Sequence, residues 1–331
     1  MERYKNKTVA RKKIVIVTPA QPGTLHGNRT TATRWAQHLL AAGHGTEVLT
    51  QWESGDQDVM IALHATRSHA AMQAWKKNNH TKPLILIMTG TDLYRDLAAG
   101  NAQALVSLEM ADQIILLQPE AMQCIPLHIR SRCQVIYQSI SVVKVFPKHA
   151  GCFMVTVIGH LRDEKDPLRT AIALQHIPKS MPIKIFHLGM AMQESLSAEA
   201  LKLAQVDTRY QWLGQRSHQN TLRWLARSRL MVISSLMEGG AHVVSEAIAL
   251  GIPVLASDIA GNRGLLGDDY QGYFPAEDDV ALAKLLMRAE SDPTFMLELT
   301  DAVQGRKELI TPQREFNAIN QLIDGAKRAA N

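Results

Sequence analysis

The sequence has few cysteines and no long apolar run. Cys124, Cys133 and Cys152 form an odd set without a C-x-x-C pair, which disfavours both a disulfide framework and a zinc site. No segment reaches the ~20 apolar residues that a membrane-spanning helix needs. The apolar run at residues 14–17 is shorter than the apolar region of a secretory signal. We therefore expect a cytoplasmic protein that does not associate with a membrane.

Aromatic residues are also scarce. Six Phe and six Tyr leave few side chains on which nucleic-acid bases would stack, and the Lys and Arg residues are scattered along the chain rather than clustered. The sequence therefore predicts no nucleic-acid partner. A small anionic ligand accounts for the net charge of +5 equally well.

Apolar runs alternate with helix-like segments along the whole chain. Continuous Ile/Val/Leu runs such as KIVIVTP and PLILIMTG are typical of parallel strands buried on both faces. A chain of 331 residues suits two such α/β domains, each a Rossmann-like, doubly wound sheet. An irregular stretch at 141–151 predicts their boundary. It gives an N-terminal domain at 1–149, a C-terminal domain at 150–311 and a helix at 312–331 that packs on one of them.

The segment MEGGAHVVSEAIALGIPVLAS places two acids, Glu238 and Glu246, on either side of a predicted helix start. The unpaired backbone N–H groups of that start belong to Gly240, Ala241 and His242. Such groups favour an anion, and Gly239 beside Gly240 lets the backbone approach it closely. Two carboxylates beside an anion need hydroxyl donors. A sugar nucleotide supplies these from its hexose and its ribose.

This segment resembles the mark of the retaining GT-B glycosyltransferases of family 4, which is E-x7-E followed by a helix and G-x-P-V. Here the mark reads Glu238, Glu246 and ALGIPVLAS. The resemblance implies two Rossmann-like domains facing a central cleft, the C-terminal one binding the donor. It also implies that Glu238 meets hydroxyls of the donor sugar and that Glu246 holds the ribose.

Two further segments are similar to motifs of that family. VIGHLRDEKDP, at residues 157–167, is similar to G-R-L-x-x-x-K-G, in which an Arg and a Lys neutralise the donor diphosphate. Lys165 matches the Lys, while His160 stands at the Arg position, so we assign the clamp to Arg162 and Lys165, with His160 as the weaker candidate. HGNRTTATRWAQHLLAAGH is similar to the Gly-rich loop and first helix. That similarity places Gly27, Asn28 and Arg29 against the ligands.

The acceptor side departs from the family pattern. Members often carry a His after the strand equivalent to PLILIM, whereas this sequence has MTGTDLYRD, with Thr89 in that place and Thr91 two residues on. The loop ALHATRSHA keeps His64 and adds Arg67. A hydroxyl acceptor benefits from a base that removes its proton, and an acceptor already carrying negative charge does not. A site rich in cations and poor in bases therefore predicts an anionic nucleophile.

Several separated motifs, among them GNRTTATRWAQHL, LHATRS, GHLRDEKDP and GLLGDDYQGYFP, resemble the selenosugar synthase family of selenoneine biosynthesis. The resemblance implies UDP-N-acetylglucosamine or UDP-glucose as donor, selenophosphate as nucleophile, release of UDP and phosphate, and neither cofactor nor metal. His242 departs from that family, where a small amide is expected. The expected catalytic residues are Arg29, His64, Arg67 and Glu238. The residues expected to bind the acceptor are Thr89, Thr91, Arg29 and Arg67.

Two other functions stay open at this point. A conventional family 4 enzyme would glycosylate a hydroxyl of a lipid or saccharide, for which AAMQAWKKNNHTK is a modest membrane-surface candidate. A catalytically inactive UDP-sugar sensor would have no use for a cationic acceptor site. The motifs do not separate selenium from sulfur as the nucleophile, nor do they set the anomeric stereochemistry or the residue that activates a hydrolytic water.

Overall fold

The computed structural model describes residues 11–23, 27–141 and 146–326. The chain forms two compact units. The first takes in the described residues up to Tyr137 and those from Gln313 onward, and the second is Gln138–Pro312. The sequence predicted the boundary between residues 149 and 150 and left open which domain holds the last helix. In the structure the boundary between the two units lies earlier, between Tyr137 and Gln138. The reason is that the segment after Tyr137 forms hydrogen bonds within unit 2; for example, Ile140 N–H donates to Ile310 O (3.0 Å).

The described part of unit 1 contains a parallel sheet of six strands in the order β2-β1-β3-β4-β5-β6. The strands are β1 (Lys13–Val17), β2 (Gly45–Leu49), β3 (Val59–Leu63), β4 (Leu84–Ile87), β5 (Gln113–Leu116) and β6 (Cys133–Val135). The helices between them are α1 (Gly27–Ala41), α2 (His69–Asn78) and α3 (Ala102–Met110). Short turns of helix follow at Asp92–Asp96, Pro119–Cys124 and Leu127–Arg132.

The described part of unit 2 contains a second parallel sheet of six strands, in the order β12-β11-β10-β7-β8-β9. The strands are β7 (Phe153–Ile158), β8 (Ile183–Leu188), β9 (Tyr210–Gly214), β10 (Leu230–Ile233), β11 (Val254–Ser257) and β12 (Tyr273–Phe274). The helices are α4 (Arg169–Ala173), α5 (Glu194–Val206), α6 (His218–Arg227), α7 (His242–Leu250), α8 (Ala260–Leu266), α9 (Asp279–Ser291) and α10 (Pro293–Gly305). Single turns lie at Asp163–Lys165, Leu174–His176 and Lys307–Ile310. The last described helix is α11 (Pro312–Gly325), which from Gln313 onward belongs to unit 1.

Continuous apolar strands are explained by cores on both sheet faces. In β1, Val15 and Val17 enter one core of unit 1, while Ile14 and Ile16 enter the other. Both units contain a parallel sheet with helices between its strands, so the prediction of two α/β domains is confirmed. Among the described helices, none is both long and apolar enough to cross a bilayer.

Helix α11 packs on unit 1 through an apolar stripe and one buried acid. Ile319, Leu322 and Ile323 join the core that contains Trp35. Glu315 lies beside that stripe, and its carboxylate accepts hydrogen bonds from Arg34 Nε (2.8 Å) and Trp35 Nε1 (3.0 Å). The buried carboxylate thus fixes the position of α11 on α1.

We expect Glu315→Ala to lower the free energy of unfolding by about 3 kcal/mol, because it removes the buried carboxylate that accepts from Arg34 Nε and Trp35 Nε1. Urea unfolding followed by circular dichroism measures this loss. Glu315→Gln is the matched control, since its amide oxygen still accepts from Trp35, and it should cost clearly less. Equal losses for the two variants would mean that the acceptor is unimportant.

Candidate active site

The strand order of unit 2 predicts where a ligand would bind. The chain runs from β7 outward to β8 and β9, then returns to β10 on the other side of β7. In open parallel sheets, ligands bind beyond the carboxyl ends of the strands at the point where the order reverses. That point lies between β7 and β10. The loops that follow these two strands carry most of the residues predicted to bind the donor nucleotide.

Hydrogen bonds join these two loops to one another. Leu236 N–H donates to Glu164 O (2.9 Å), and Ser234 Oγ donates to Asp166 O (2.7 Å). Asp166 has the left-handed φ of 39°, which turns the chain out of the loop and into α4. The loop after β7 and the loop after β10 therefore hold each other in place.

Lys165 and Glu238 form an ion pair across the two loops. Ser235 Oγ donates a second hydrogen bond to the same carboxylate oxygen, Oε1 (2.7 Å), and Glu238 is buried. Within the described ranges, no donor reaches the other oxygen, Oε2. Glu238 is thus held in one orientation while one oxygen remains available to accept from a ligand hydroxyl.

The support of Glu238 comes from residues that the sequence analysis missed. Asn262 Nδ2 donates to Ser257 O (2.9 Å), and Ser257 Oγ donates to Ser235 O (2.6 Å). Gly261 approaches Glu238 so closely that an added Cβ would lie 2.1 Å from the Glu238 carbonyl oxygen. No local signal indicates these roles, because residues 257–262 meet the Glu238 loop only in the folded chain.

The glycine loop before α7 offers backbone donors. Within the described ranges, no acceptor is bonded to the N–H groups of Gly239, Gly240 and Ala241. No side chain caps the helix at Ala241. Gln138 Nε2 donates to Gly240 O (2.9 Å), which fixes the loop from its other side. Unpaired N–H groups ahead of a nine-residue helix form a site suited to an anion.

The two cations proposed for the diphosphate have different surroundings. Lys165 is engaged with Glu238. Arg162 Nε is buried and has no hydrogen-bond partner among the described residues, with Glu164 Oε2 3.9 Å away, too far for a hydrogen bond. His160 Nδ1 accepts from Met190 N–H (3.1 Å), so this ring helps to hold the loop.

Glu246 lies on the second turn of α7 with two imidazoles near it. Its Oε1 accepts from His218 Nε2 (2.6 Å), and His242 Nε2 lies 3.6 Å from the same oxygen. The hydrogen bond to the buried carboxylate raises the pKa of His218 above its ordinary value. The sequence predicted that Glu246 and His242 bind the donor nucleotide, but it gave no reason to single out His218, which lies on α6.

The strand order of unit 1 reverses between β1 and β3, so the loops after these strands mark its ligand end. Gly27, Asn28 and Arg29 form the first turn of α1, which follows β1. Arg29 Nη1 is buried and has no hydrogen-bond partner among the described residues. A buried guanidinium nitrogen without an acceptor is costly and indicates a place for an anion.

His64 directly follows β3 in a strained backbone conformation. Its φ is 75°, uncommon for a residue other than glycine, and its side chain is 1 % exposed. Nδ1 accepts from Arg67 N–H (3.3 Å), so the neutral ring donates from Nε2 to Thr91 Oγ1 (3.0 Å). Burial lowers the pKa of His64 below its ordinary value, which keeps the ring neutral at pH 7. With both nitrogens engaged, the ring orients Thr91 and the Arg67 backbone, and its catalytic role stays a prediction.

Asp92 organises the loop after β4. Its buried carboxylate accepts from Thr89 N–H (2.9 Å), from Thr89 Oγ1 (2.7 Å) and from Ala65 N–H (2.8 Å). The Thr89 hydroxyl is therefore already donating inside the protein, whereas Thr91 keeps its hydroxyl hydrogen for another acceptor. Arg67 is exposed, and no described residue forms an ion pair with it. The acceptor assignments of Thr89, Thr91 and Arg67 stay predictions.

A buried histidine lies beneath the loop after β7. His187 Nε2 donates to Gly159 O (3.0 Å), and Tyr210 O–H donates to Nδ1 (2.9 Å). Burial lowers the pKa of His187 to about 4. In the unfolded chain, the His187 ring is exposed to water and binds a proton near pH 6.5. The folded state therefore loses stability as the pH falls below about 6.5, until the folded ring also titrates near its lowered pKa.

Because of His187, we expect the free energy of unfolding to fall by about 2 kcal/mol when the pH is lowered from 7.5 to 5. Urea unfolding at the two pH values measures the cost, with His187→Gln as the matched variant because its amide N–H₂ still donates to Gly159 O. The pH dependence should shrink in the variant. An unchanged pH dependence would assign the effect to other groups.

The second half of the chain matches a known family. Residues 143–306 match the model described as glycosyl transferases group 1. The protein is a glycosyltransferase with a group 1 domain in its second half. The prediction of a glycosyltransferase, drawn from Glu238, Glu246 and the segment after them, is thereby confirmed.

The glycosyltransferase is similar over most of its length to other proteins. It is 27% identical over 292 residues to "Glycosyltransferase 1 domain-containing protein 1" of Xenopus tropicalis, covering 79% of this chain and 84% of that one. Sucrose-phosphate synthase of Thermosynechococcus elongatus has the same fold, with a TM-score of 0.76, 16% identity and coverage of 95% and 98%. HepE of Anabaena, in complex with UDP and glucose, gives a TM-score of 0.71 at 16% identity, with coverage of 95% and 98%. These likenesses confirm the predicted GT-B fold class.

Proposed function

We propose that the protein is a selenosugar synthase, which transfers a hexose from UDP-N-acetylglucosamine or UDP-glucose to selenophosphate. Unit 2 binds the UDP-sugar and unit 1 binds the selenophosphate. The observation that carries the choice of acceptor is the buried Arg29 Nη1, which has no partner among the described residues of unit 1.

The donor assignment is supported by complementary charges in unit 2. Arg162 Nε and the N–H groups ahead of α7 lack partners among the described residues, and a diphosphate would supply them. Glu238 has one oxygen free for a sugar hydroxyl, and Glu246 would accept from the ribose. The solved structure of HepE contains UDP and glucose, which supports a UDP-sugar as the donor here.

The choice of an anionic acceptor is supported by the loops of unit 1. Arg29 contributes a half-buried cation whose Nη1 is enclosed, Arg67 contributes an exposed cation, and neither is neutralised by a described residue. The two nitrogens of His64 are engaged with Thr91 and with the Arg67 backbone, so its ring is poorly placed to deprotonate a hydroxyl. A trianionic or dianionic selenophosphate needs cations and no base.

The reaction breaks one bond and forms one bond at the anomeric carbon. Selenium attacks that carbon with its lone pair, and the bond from carbon to the diphosphate oxygen breaks, so UDP leaves with the electron pair. Arg162, Lys165 and the N-terminus of α7 stabilise the charge that develops on UDP. Water then cleaves the selenium–phosphorus bond, which gives the 1-selenosugar and phosphate.

The experiment that tests this function is product analysis by mass spectrometry. Purified protein is incubated with UDP-N-acetylglucosamine or UDP-glucose and enzymatically generated selenophosphate, without added metal. We expect the selenium isotope pattern on a hexosamine or hexose mass, and Arg29→Ala should abolish it. Arg314→Ala, an exposed arginine on α11, is the control and should retain full product. A product formed only with a lipid or saccharide hydroxyl would overturn the proposal.

A further inference from the structure

Three side chains of unit 2 with metal-ligating atoms converge on one point. His218 from α6 and His242 and Glu246 from α7 place one ligand atom each within 4.8 Å of one another. We propose that these three residues form a Zn²⁺ site, and that Zn²⁺ bound there excludes the donor nucleotide. The exclusion rests on the proposed function, in which Glu246 binds the ribose.

The geometry is close to that of a zinc centre. Tetrahedral Zn²⁺ with bonds of about 2.0–2.1 Å separates its ligand atoms by roughly 3.3 Å. His242 Nε2 and Glu246 Oε1 are already 3.6 Å apart. His218 Nε2 lies 2.6 Å from the same oxygen, so it must withdraw by roughly 0.7 Å. It is able to do so because its side chain is 59% exposed at the first residue of α6.

The arrangement of the ligands also favours a metal. His242 and Glu246 are four residues apart on one helix, which aims both side chains at the same point. Glu246 lies on α7 and its side chain is 3% exposed. This ligand is therefore held rigidly. Two imidazole nitrogens and one carboxylate oxygen suit Zn²⁺ better than Mg²⁺ or Ca²⁺, which prefer oxygen, and the fourth position would be open to water.

The consequence follows from the position of Glu246. Zn²⁺ bound to Oε1 takes that oxygen away from ribose hydroxyls, and its positive charge makes the whole Glu246 carboxylate, Oε2 included, a weaker hydrogen-bond acceptor. The metal and the nucleoside therefore compete for one group. Zn²⁺ would act as an inhibitor of donor binding, and it would have no part in the transfer itself.

Zinc titration of the full chain tests the site. Metal-free protein in a phosphate-free buffer is titrated with ZnCl₂ against a chromogenic chelator. We expect one tight site in the wild type and at least ~10-fold weaker binding in His218→Asn and in His242→Asn. His176→Asn, at another histidine paired with an acid, Asp279, is the matched control and should bind normally. Equal zinc affinity in all four proteins would overturn the proposal, and melting temperatures establish that each variant is folded.

Competition with uridine tests the exclusion. Uridine replaces UDP here because a diphosphate chelates Zn²⁺ by itself. Saturation-transfer NMR should detect uridine on metal-free wild-type protein and lose the signal at one equivalent of Zn²⁺. In His218→Asn the signal should persist. A wild-type signal that survives saturating Zn²⁺ would overturn the exclusion alone. No uridine signal on the metal-free protein would overturn the ribose assignment of Glu246 and the exclusion with it, while the zinc titration decides the metal site.

Discussion

Replacing Lys165 by alanine is expected to lower kcat/KM for the UDP-sugar by about 100-fold. Lys165 lies on the loop after β7, in contact with Glu238. In the proposed reaction it neutralises the diphosphate as UDP departs. A charge-assisted contact contributes up to about 3 kcal/mol, and that amount corresponds to roughly two orders of magnitude in rate. Steady-state kinetics with selenophosphate held constant measure the effect.

Two further variants separate this effect from a general loss of positive charge. Lys165→Arg keeps the cation and should recover part of the rate, although its planar head group does not reproduce the ammonium geometry. Lys202→Ala, at an exposed position on α5, should leave kcat/KM unchanged. A Lys165→Ala enzyme within a few-fold of the wild type would remove Lys165 from the diphosphate site.

Replacing Gly261 by alanine is expected to lower kcat by about 100-fold, although Gly261 is not assigned to contact either substrate. A Cβ at this position would lie 2.1 Å from Glu238 O and 2.7 Å from Glu238 Cβ. Both atoms are too close for a real contact, so the Glu238 loop must move away. A displacement of about 1 Å at a reacting group can cost 10²-fold in rate. The drop should appear in kcat, with the protein still folded.

Gly305→Ala is the matched control for this prediction. Gly305 is another helical glycine of unit 2, at the last residue of α10, and a Cβ added there meets no atom within 4 Å. Its kcat should equal that of the wild type. If Gly261→Ala retains full activity, then the close approach to Glu238 has no role in placing the carboxylate.

The sequence predicted the parts of the fold and the site that depend on local pattern. Alternating apolar strands and periodic helices indicated two parallel α/β sheets, as found. The spacing of Glu238 and Glu246 placed the first acid in a loop and the second on α7, as the structure also has them. Both features depend on residues close together in the chain, and physical rules for strands, helix starts and glycines apply to them directly.

The sequence did not predict features that depend on distant segments meeting. Local pattern does not give the strand orders, so the reversal points beside β1 and β7 came only from the structure. His218 meets Glu246 from another helix, and Gly261 meets Glu238 from beyond β11. Glu315 reads as one more polar residue on an amphipathic helix, yet it is buried against α1. In each case the partner is fixed by the packing of whole elements.

The most direct test of the central claim is the dependence of UDP release on the acceptor. UDP formation from UDP-N-acetylglucosamine and from UDP-glucose is followed with selenophosphate, with inorganic phosphate, with a lipid or saccharide hydroxyl, and with no acceptor. The account predicts that UDP is released rapidly only with selenophosphate, from at least one donor, in equal amount to the selenosugar formed. Rapid release that requires a hydroxyl acceptor and ignores selenophosphate would contradict it.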